Sequence, residues 1–198
     1  MKQYFQYNWW KYIAILLLPV ILWVSIFDIL KKPDADERLH ILYIGQSLDT
    51  AALEQQLKNV LPTRSSQDLK EIRVQAEQYS DSTVLTARCF DYDIILIEAP
   101  NSPESIGQRV FSALTPELAK QFPEAVLYTE NTDTDTLPYG FILDPSVKTS
   151  FSACYTGTEK CYLFFSPESV NLDTCNGKGA AGHDGALQAA QYLLEITP

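Results

Sequence analysis

Apolar positions fall along the chain as one long unbroken run followed by many short runs punctuated by turn residues. The long run extends from Tyr12 to Leu30 and carries no charge before Asp28. A helix rising about 1.5 Å per residue needs roughly 20 residues to cross a hydrocarbon core, so the run predicts one transmembrane helix. Trp9, Trp10 and Tyr12 at one end and Trp23 and Phe27 toward the other suit the aromatic belts of a bilayer. Lys11, Lys31 and Lys32 bracket the span, where their ammonium groups reach head groups while the stems stay apolar. Pro19 is compatible with a lone spanning helix, which can kink without losing its lipid contacts. A cleaved signal peptide is the competing reading. No Ala-x-Ala-like site follows the run, and Lys31-Lys32-Pro33 is a poor place to cut.

Beyond the run, the pattern changes to alternating elements. Residues 33–38 form a short polar linker, and residues 39–198 read as one α/β domain. Leu39 to Ile44, closed by Gly45, predicts a buried parallel strand. Asp49 is a candidate N-cap for a helix with Leu53, Leu57, Val60 and Leu61 on one face, Glu54 and Lys58 paired at i,i+4, and Pro62 as its stop. Glu71 to Ala76 alternates as a second strand, Ser80 to Phe90 reads as a short helix, and Tyr92 to Ile97 is the most apolar strand. Ser102-Pro103-Glu104 and Thr115-Pro116-Glu117 each have the cap-then-proline form of a helix start. Three further strands are expected at Ala125 to Tyr128, Tyr139 to Leu143 and Cys161 to Phe165. Asp184 is placed to cap a final helix burying Leu187, Ala190, Leu193 and Leu194. This order predicts a doubly wound, mostly parallel sheet flanked by helices.

Charge narrows the partners. The chain carries −10, and residues 1–32 hold four lysines against one aspartate, which leaves −13 on the remainder. Such a surface repels nucleic acid, so no nucleic-acid partner is expected. The charge rule does not orient the span, because Lys2, Lys11 and the amino terminus balance Lys31, Lys32 and Arg38. The four cysteines, Cys89, Cys154, Cys161 and Cys175, bear on the compartment. An even number fits an oxidising one, and Cys154 and Cys161 flank a turn-like segment that a disulfide would close. Four free thiols are the alternative. Without a Cys-x-x-Cys pair, zinc and thioredoxin-type chemistry find no support.

Ligands of doubly wound sheets lie at the carboxyl ends of the strands. Those ends offer Gly45, Gln46 and Ser47, then Glu98 and Asn101, as candidate ligand-binding residues. An ordinary βα turn accounts for Gly45-Gln46-Ser47 equally simply. No Gly-x-Gly-x-x-Gly, P-loop or Gly-x-Ser-x-Gly occurs, and the glycine-rich stretch Asn176 to Gly185 lacks the Walker pattern. His40 and His183, the two histidines, sit in no acid–histidine cluster, so no catalytic residue, metal site or cofactor is expected. Were the chain an enzyme, Ser47 or Asp93 would be the groups to test.

The first half of the domain resembles the first lobe of extracellular solute-binding proteins of ABC importers. The resemblance is carried by Ile41-Leu-Tyr-Ile-Gly45 with its helix, Asp91-Tyr-Asp-Ile-Ile-Leu-Ile97, and the loop around Leu114-Thr-Pro-Glu-Leu118. Tyr139-Gly-Phe-Ile142 looks like the strand where such chains turn toward a second lobe, and Tyr162 to Val170 like the segment that re-enters the core. Two-lobed members are much longer, so a second lobe is missing or reduced. The resemblance implies a single periplasmic-binding-protein-like lobe, non-enzymatic, anchored in the cell membrane through Tyr12–Leu30 with its domain extracytoplasmic. It further implies a binding or accessory role linked to ABC-type solute uptake, with a small solute or a membrane protein as partner. A protein–protein assembly subunit without a small-molecule ligand is the alternative.

Overall fold

The computed structural model describes residues 2–78, 87–99, 106–131, 135–172 and 182–196. The chain divides into two compact units, Met1–Asp34 and Ala35–Pro198. In the first, α1 is a helix from Lys2 to Lys31 with Pro19 inside it. Every side chain from Ile13 to Phe27 is exposed, the aliphatic ones included. Among the described residues no helix is long and apolar enough to cross a membrane. The transmembrane helix expected over Tyr12–Leu30 therefore finds no support among the described residues.

The second unit is an α/β fold built on six strands: β1 (Arg38–Ile44), β2 (Glu71–Glu77), β3 (Ile94–Glu98), β4 (Val126–Asn131), β5 (Thr136–Leu143) and β6 (Cys161–Phe165). Its helices are α2 (Thr50–Arg64), α3 (Ile106–Val110), α4 (Pro116–Ala119) and α5 (Gly185–Leu194). The order across the sheet is β2-β1-β3-β6-β5-β4. Here the expectation of a mostly parallel sheet is corrected. β2-β1-β3 is parallel, but β3-β6, β6-β5 and β5-β4 are antiparallel, so the sheet is mixed. The reason lies in the connections. A helix returns the chain from β1 to β2, whereas β4 and β5 are joined by a short connection that reverses direction at once.

Side chains on successive residues of β1 point to opposite faces, and both faces are covered. Leu39, Ile41 and Tyr43 pack with Leu53, Leu57 and Leu61 of α2 and with Ala186, Ala190 and Leu193 of α5. Leu42 and Ile44 pack on the other side with Ile95, Ile97, Ile106, Val110 and Phe111. Burial on two faces explains why β1 and β3 read as continuous apolar runs. Phe111 stacks on Phe164 at 4.5 Å between ring centroids, and Phe122 lies 4.5 Å from Phe141 on the opposite face.

Local signals mostly act as their chemistry requires. Asp49 caps α2 through Ala52 N–H at 2.9 Å, Lys58 reaches Glu54 at 2.5 Å, and Thr115 caps α4 through Leu118 N–H. Two signals differ. Pro62 sits inside α2, which runs on to Arg64: proline lacks the N–H that would bond the Lys58 carbonyl one turn back but does not bar the two residues after it. Asp184 precedes α5 without capping it, because its carboxylate accepts instead from Ser65 Oγ and from Ser66 N–H and Oγ. The helix expected from Ser102 is present as α3 with Ile106 and Val110 buried, its start at 102–104 lying outside the described residues, as do most of the helix expected over Ser80–Phe90 and most of the glycine-rich stretch 176–185.

Candidate functional site

The carboxyl ends of β1 and β3 are adjacent and parallel, which brings Gly45, Gln46 and Ser47 against Glu98. The expected residues therefore do converge, apart from Asn101, which lies outside the described residues. What they converge on is a carboxylate with its acceptor sites occupied. Glu98 Oε2 accepts from Tyr43 OH at 2.7 Å and from Gln46 N–H at 2.9 Å. Oε1 accepts from Ser47 Oγ at 2.5 Å, and the Tyr155 hydroxyl lies 2.9 Å from both Oε1 and the Glu159 carbonyl. Tyr43 OH in turn accepts from Ser47 N–H at 3.0 Å.

Gly45 acquires its reason here. A β-carbon at position 45 would collide with Glu98 Oε2 and the Tyr43 hydroxyl. The close approach that glycine permits is to the protein's own carboxylate, where a ligand group was expected. Gly157 plays the matching part on the loop, since a β-carbon there would meet the Tyr155 ring and Ser47. Backbone bonds hold the loop down: Cys154 C=O accepts from Asp49 N–H at 2.9 Å, and Ser47 C=O accepts from Thr156 N–H at 2.8 Å.

Electrostatics agree with a closed cluster. Burial raises the Glu98 pKa, but the donors led by Ser47 Oγ and Gln46 N–H outweigh it and hold the carboxyl below its ordinary value. Burial, with Glu98 beside them, pushes the phenols of Tyr43 and Tyr155 well above theirs. A carboxylate so stabilised is a poor base at neutral pH, so it gives Ser47 no activation as a nucleophile.

Asp93, the other acidic candidate, lies just ahead of β3, at the end opposite Glu98. It accepts from His40 N–H at 2.8 Å, Ser169 Oγ at 2.7 Å and Asn171 Nδ2 at 2.9 Å. Burial raises its pKa against the pull of those donors. Ser47 and Asp93 are thus not brought together. A third buried carboxylate, Glu130, accepts from Gly107 N–H at 2.7 Å and Gln108 N–H at 2.9 Å, tying β4 to α3. His40 Nε2 lies 3.8 Å from Glu71 Oε1, and His183 has Nε2 3.7 Å from Asp36 Oδ2 and Nδ1 3.2 Å from the Val170 carbonyl.

The expected Cys154–Cys161 disulfide is corrected: Cys154, Cys161 and Cys89 are free, buried thiols. Cys161 is a fully buried strand residue, and the segment between the two cysteines is fastened by Tyr155 and Thr156 instead. Burial pushes Cys89 up to about 12 and raises the other two, which makes all three poor nucleophiles at neutral pH. Among the described residues no group of His, Cys, Asp and Glu has the arrangement to hold a metal ion.

Tyr43 and Tyr155 were not legible as site residues from the sequence. Tyr43 carried the one available signal, a hydroxyl inside an otherwise aliphatic strand, since a buried phenol requires a partner. No protein-family model, curated protein or solved structure matches this chain.

Proposed function

We propose that this protein is a membrane-anchored α/β domain that acts as an interaction or assembly subunit through protein contacts. One observation carries the reading: the place where a doubly wound sheet holds a ligand is filled by Glu98, its donors and the loop around Tyr155. A solute would have to displace Tyr155 and compete with the bonds already made to Glu98. α1 supplies the anchor, being a helix from Lys2 to Lys31 whose described aliphatic side chains are all exposed. Its stretch 13–27 is apolar apart from Ser25, which suits a lipid environment. The membrane side proposed is the extracytoplasmic one, implied by the solute-binding-lobe resemblance; the free thiols lend it no support.

Two measurements on the full chain test this. In membranes washed with alkaline carbonate the chain is expected to stay with the pellet, and to leave it when Leu17 and Val24 are both changed to Arg. Extraction of the unchanged chain would remove the anchor. In a thermal-shift screen against sugars, amino acids and short acidic peptides, no shift is expected. A saturable stabilisation that Tyr155→Ala strengthens would instead establish the lobe as a solute receptor.

A further inference from the structure

α5 begins without the cap that its own sequence offers. The first N–H groups of a helix have no partner inside it, and Asp184 makes no side-chain bond to them. They find acceptors on distant segments instead. Gly185 N–H donates to Gln67 Oε1 at 3.1 Å, and Ala186 N–H donates to the Asn171 carbonyl at 3.0 Å. Gln67 lies between α2 and β2, so the start of α5 depends on a side chain from the far side of the sequence.

Two groups fix that side chain through its Nε2. One is Asn171 Oδ1, which accepts at 2.6 Å, and the other is the Asp36 carbonyl. Asn171 is buried and is itself held, since its Nδ2 donates to the Arg38 carbonyl at 2.5 Å and to Asp93 Oδ1 at 2.9 Å. Asp36 is held differently. It belongs to the single 3-10 turn Ala35–Glu37 through which the chain enters the domain, and none of those three residues is buried. Polar contacts fasten this turn: Lys70 N–H donates to the Glu37 carbonyl at 2.8 Å, Lys70 Nζ pairs with the Glu37 carboxylate, and His183 Nε2 lies 3.7 Å from Asp36 Oδ2. Such contacts contribute little net stability each, so a turn fastened by them opens far below the free energy that unfolds the sheet.

We propose that residues 35–37 are a releasable strap that sets the Gln67 side chain and, through it, the cap of α5. With the strap seated, the Asp36 carbonyl and Asn171 Oδ1 together point Gln67 Oε1 at Gly185. With the strap open, Nε2 loses one of its two acceptors, and the half-buried Gln67 turns to water and leaves Gly185 N–H uncapped. α5 then loosens from its first turn, where Ala186 and Leu187 enter the core. Asn171 keeps Arg38 and Asp93, so the sheet is not disturbed. Displacement of the chain ahead of Ala35 is thereby transmitted to α5 by a route that bypasses the Glu98 cluster. The device goes beyond the interaction-subunit reading and does not depend on what the domain binds.

The test is amide hydrogen exchange, read residue by residue on the full chain in detergent micelles. Glu37→Pro acts on the strap: proline disfavours the helical conformation of the residue before it and so turns the Asp36 carbonyl away from Gln67. Exchange should quicken by at least about ten-fold at Lys70, Gly185 and Ala186 and stay unchanged at Ile95, Leu163 and Thr156. Glu37→Ala, which removes only the ion pair with Lys70, should leave Gly185 and Ala186 as they were. Gln67→Ala should quicken Gly185 and Ala186 directly, and adding Glu37→Pro to it should change them no further. Faster exchange at Lys70 with Gly185 and Ala186 unmoved would make the strap passive and overturn the proposal, as would additive effects of the two substitutions. No change at Lys70 in Glu37→Pro would overturn it by showing that the turn does not release. Equal quickening at Ile95 and Leu163, or a Glu37→Pro chain that fails to fold, would overturn it by showing that the turn cannot open apart from the sheet.

Discussion

The two ends of β3 hold buried carboxylates of equal exposure, 8% each, yet their environments push them in opposite directions. At the carboxyl end, Glu98 gathers hydroxyls from Tyr43 and Ser47, an N–H from Gln46 and a share of the Tyr155 hydroxyl, and its ionised form is favoured. At the amino end, Asp93 gathers three donors, but burial outweighs them and holds its pKa above the ordinary value. Burial outweighs the donors at Asp93, the more deeply enclosed of the two groups, whereas at Glu98 the donors outweigh burial. The first end is a clasp between two βα turns and a distant loop. The second joins β1 to the segment after β6.

Removing the Glu98 clasp carries the largest expected effect. Glu98→Ala leaves the buried hydroxyl of Tyr43 without its acceptor, leaves Tyr155 only the Glu159 carbonyl, and opens a void beside Gly45. The expected loss is about 3 kcal/mol, against about 2 kcal/mol for Asp93→Ala. Urea denaturation of the full chain followed by near-ultraviolet tyrosine dichroism measures both. Tryptophan fluorescence would not serve, since Trp9, Trp10 and Trp23 all lie in α1. An equal or reversed order of the two losses would show that the donor count does not set the energetics.

Much of this clasp was legible, and the illegible part has a physical cause. Strand ends, the Asp49 cap and the Thr115 cap follow from local chemistry, so Gly45, Gln46, Ser47 and Glu98 could be placed together from β1 and β3 alone. Tyr155 could not. It lies far along the chain, and only the antiparallel entry of β6 beside β3 brings its loop over the site. That entry is a long-range pairing with no periodic signature. The same blindness turned a mixed sheet into an expected parallel one, and turned Cys154 and Cys161 into an expected bridge. Their spacing fits a closed turn, but the closure is made by Tyr155 and Thr156.

Titration sharpens the contrast at an intermediate scale. The folded pKa of Glu98 is depressed, so its stabilisation is present above its unfolded value of about 4.3 and is lost as pH falls through the folded value. Asp93 has the opposite sign. Its folded pKa is raised, so stability is lost as pH rises from about 3.9 through the folded value. Asp93→Asn should therefore abolish any gain in stability on acidifying from neutral toward pH 4, whereas Glu98→Gln should flatten the loss below it. Urea midpoints taken across that range decide the matter. A Glu98→Gln chain that keeps the full acid limb would assign the limb to other carboxylates.

The smallest expected change isolates one bond of the clasp. Tyr155→Phe keeps the ring stacked on Phe151, at 4.9 Å between centroids, and deletes only the hydroxyl shared between Glu98 and Glu159 C=O. Glu98 then keeps Ser47 Oγ, Gln46 N–H and Tyr43 OH, so the global loss should be about 1 kcal/mol, near the mean for a single hydrogen bond. The local effect should be larger than the global one. Thr156 and Asp49 amides, which bridge the loop to the turn after β1, should exchange faster in the variant, while amides of Ile95 and Leu163 in the central strands should scarcely change. Uniform acceleration across the strands would mean that the hydroxyl supports the whole sheet. No acceleration at Thr156 would mean that the backbone bonds alone close the loop, and that the cluster around Glu98 owes nothing to the Tyr155 hydroxyl.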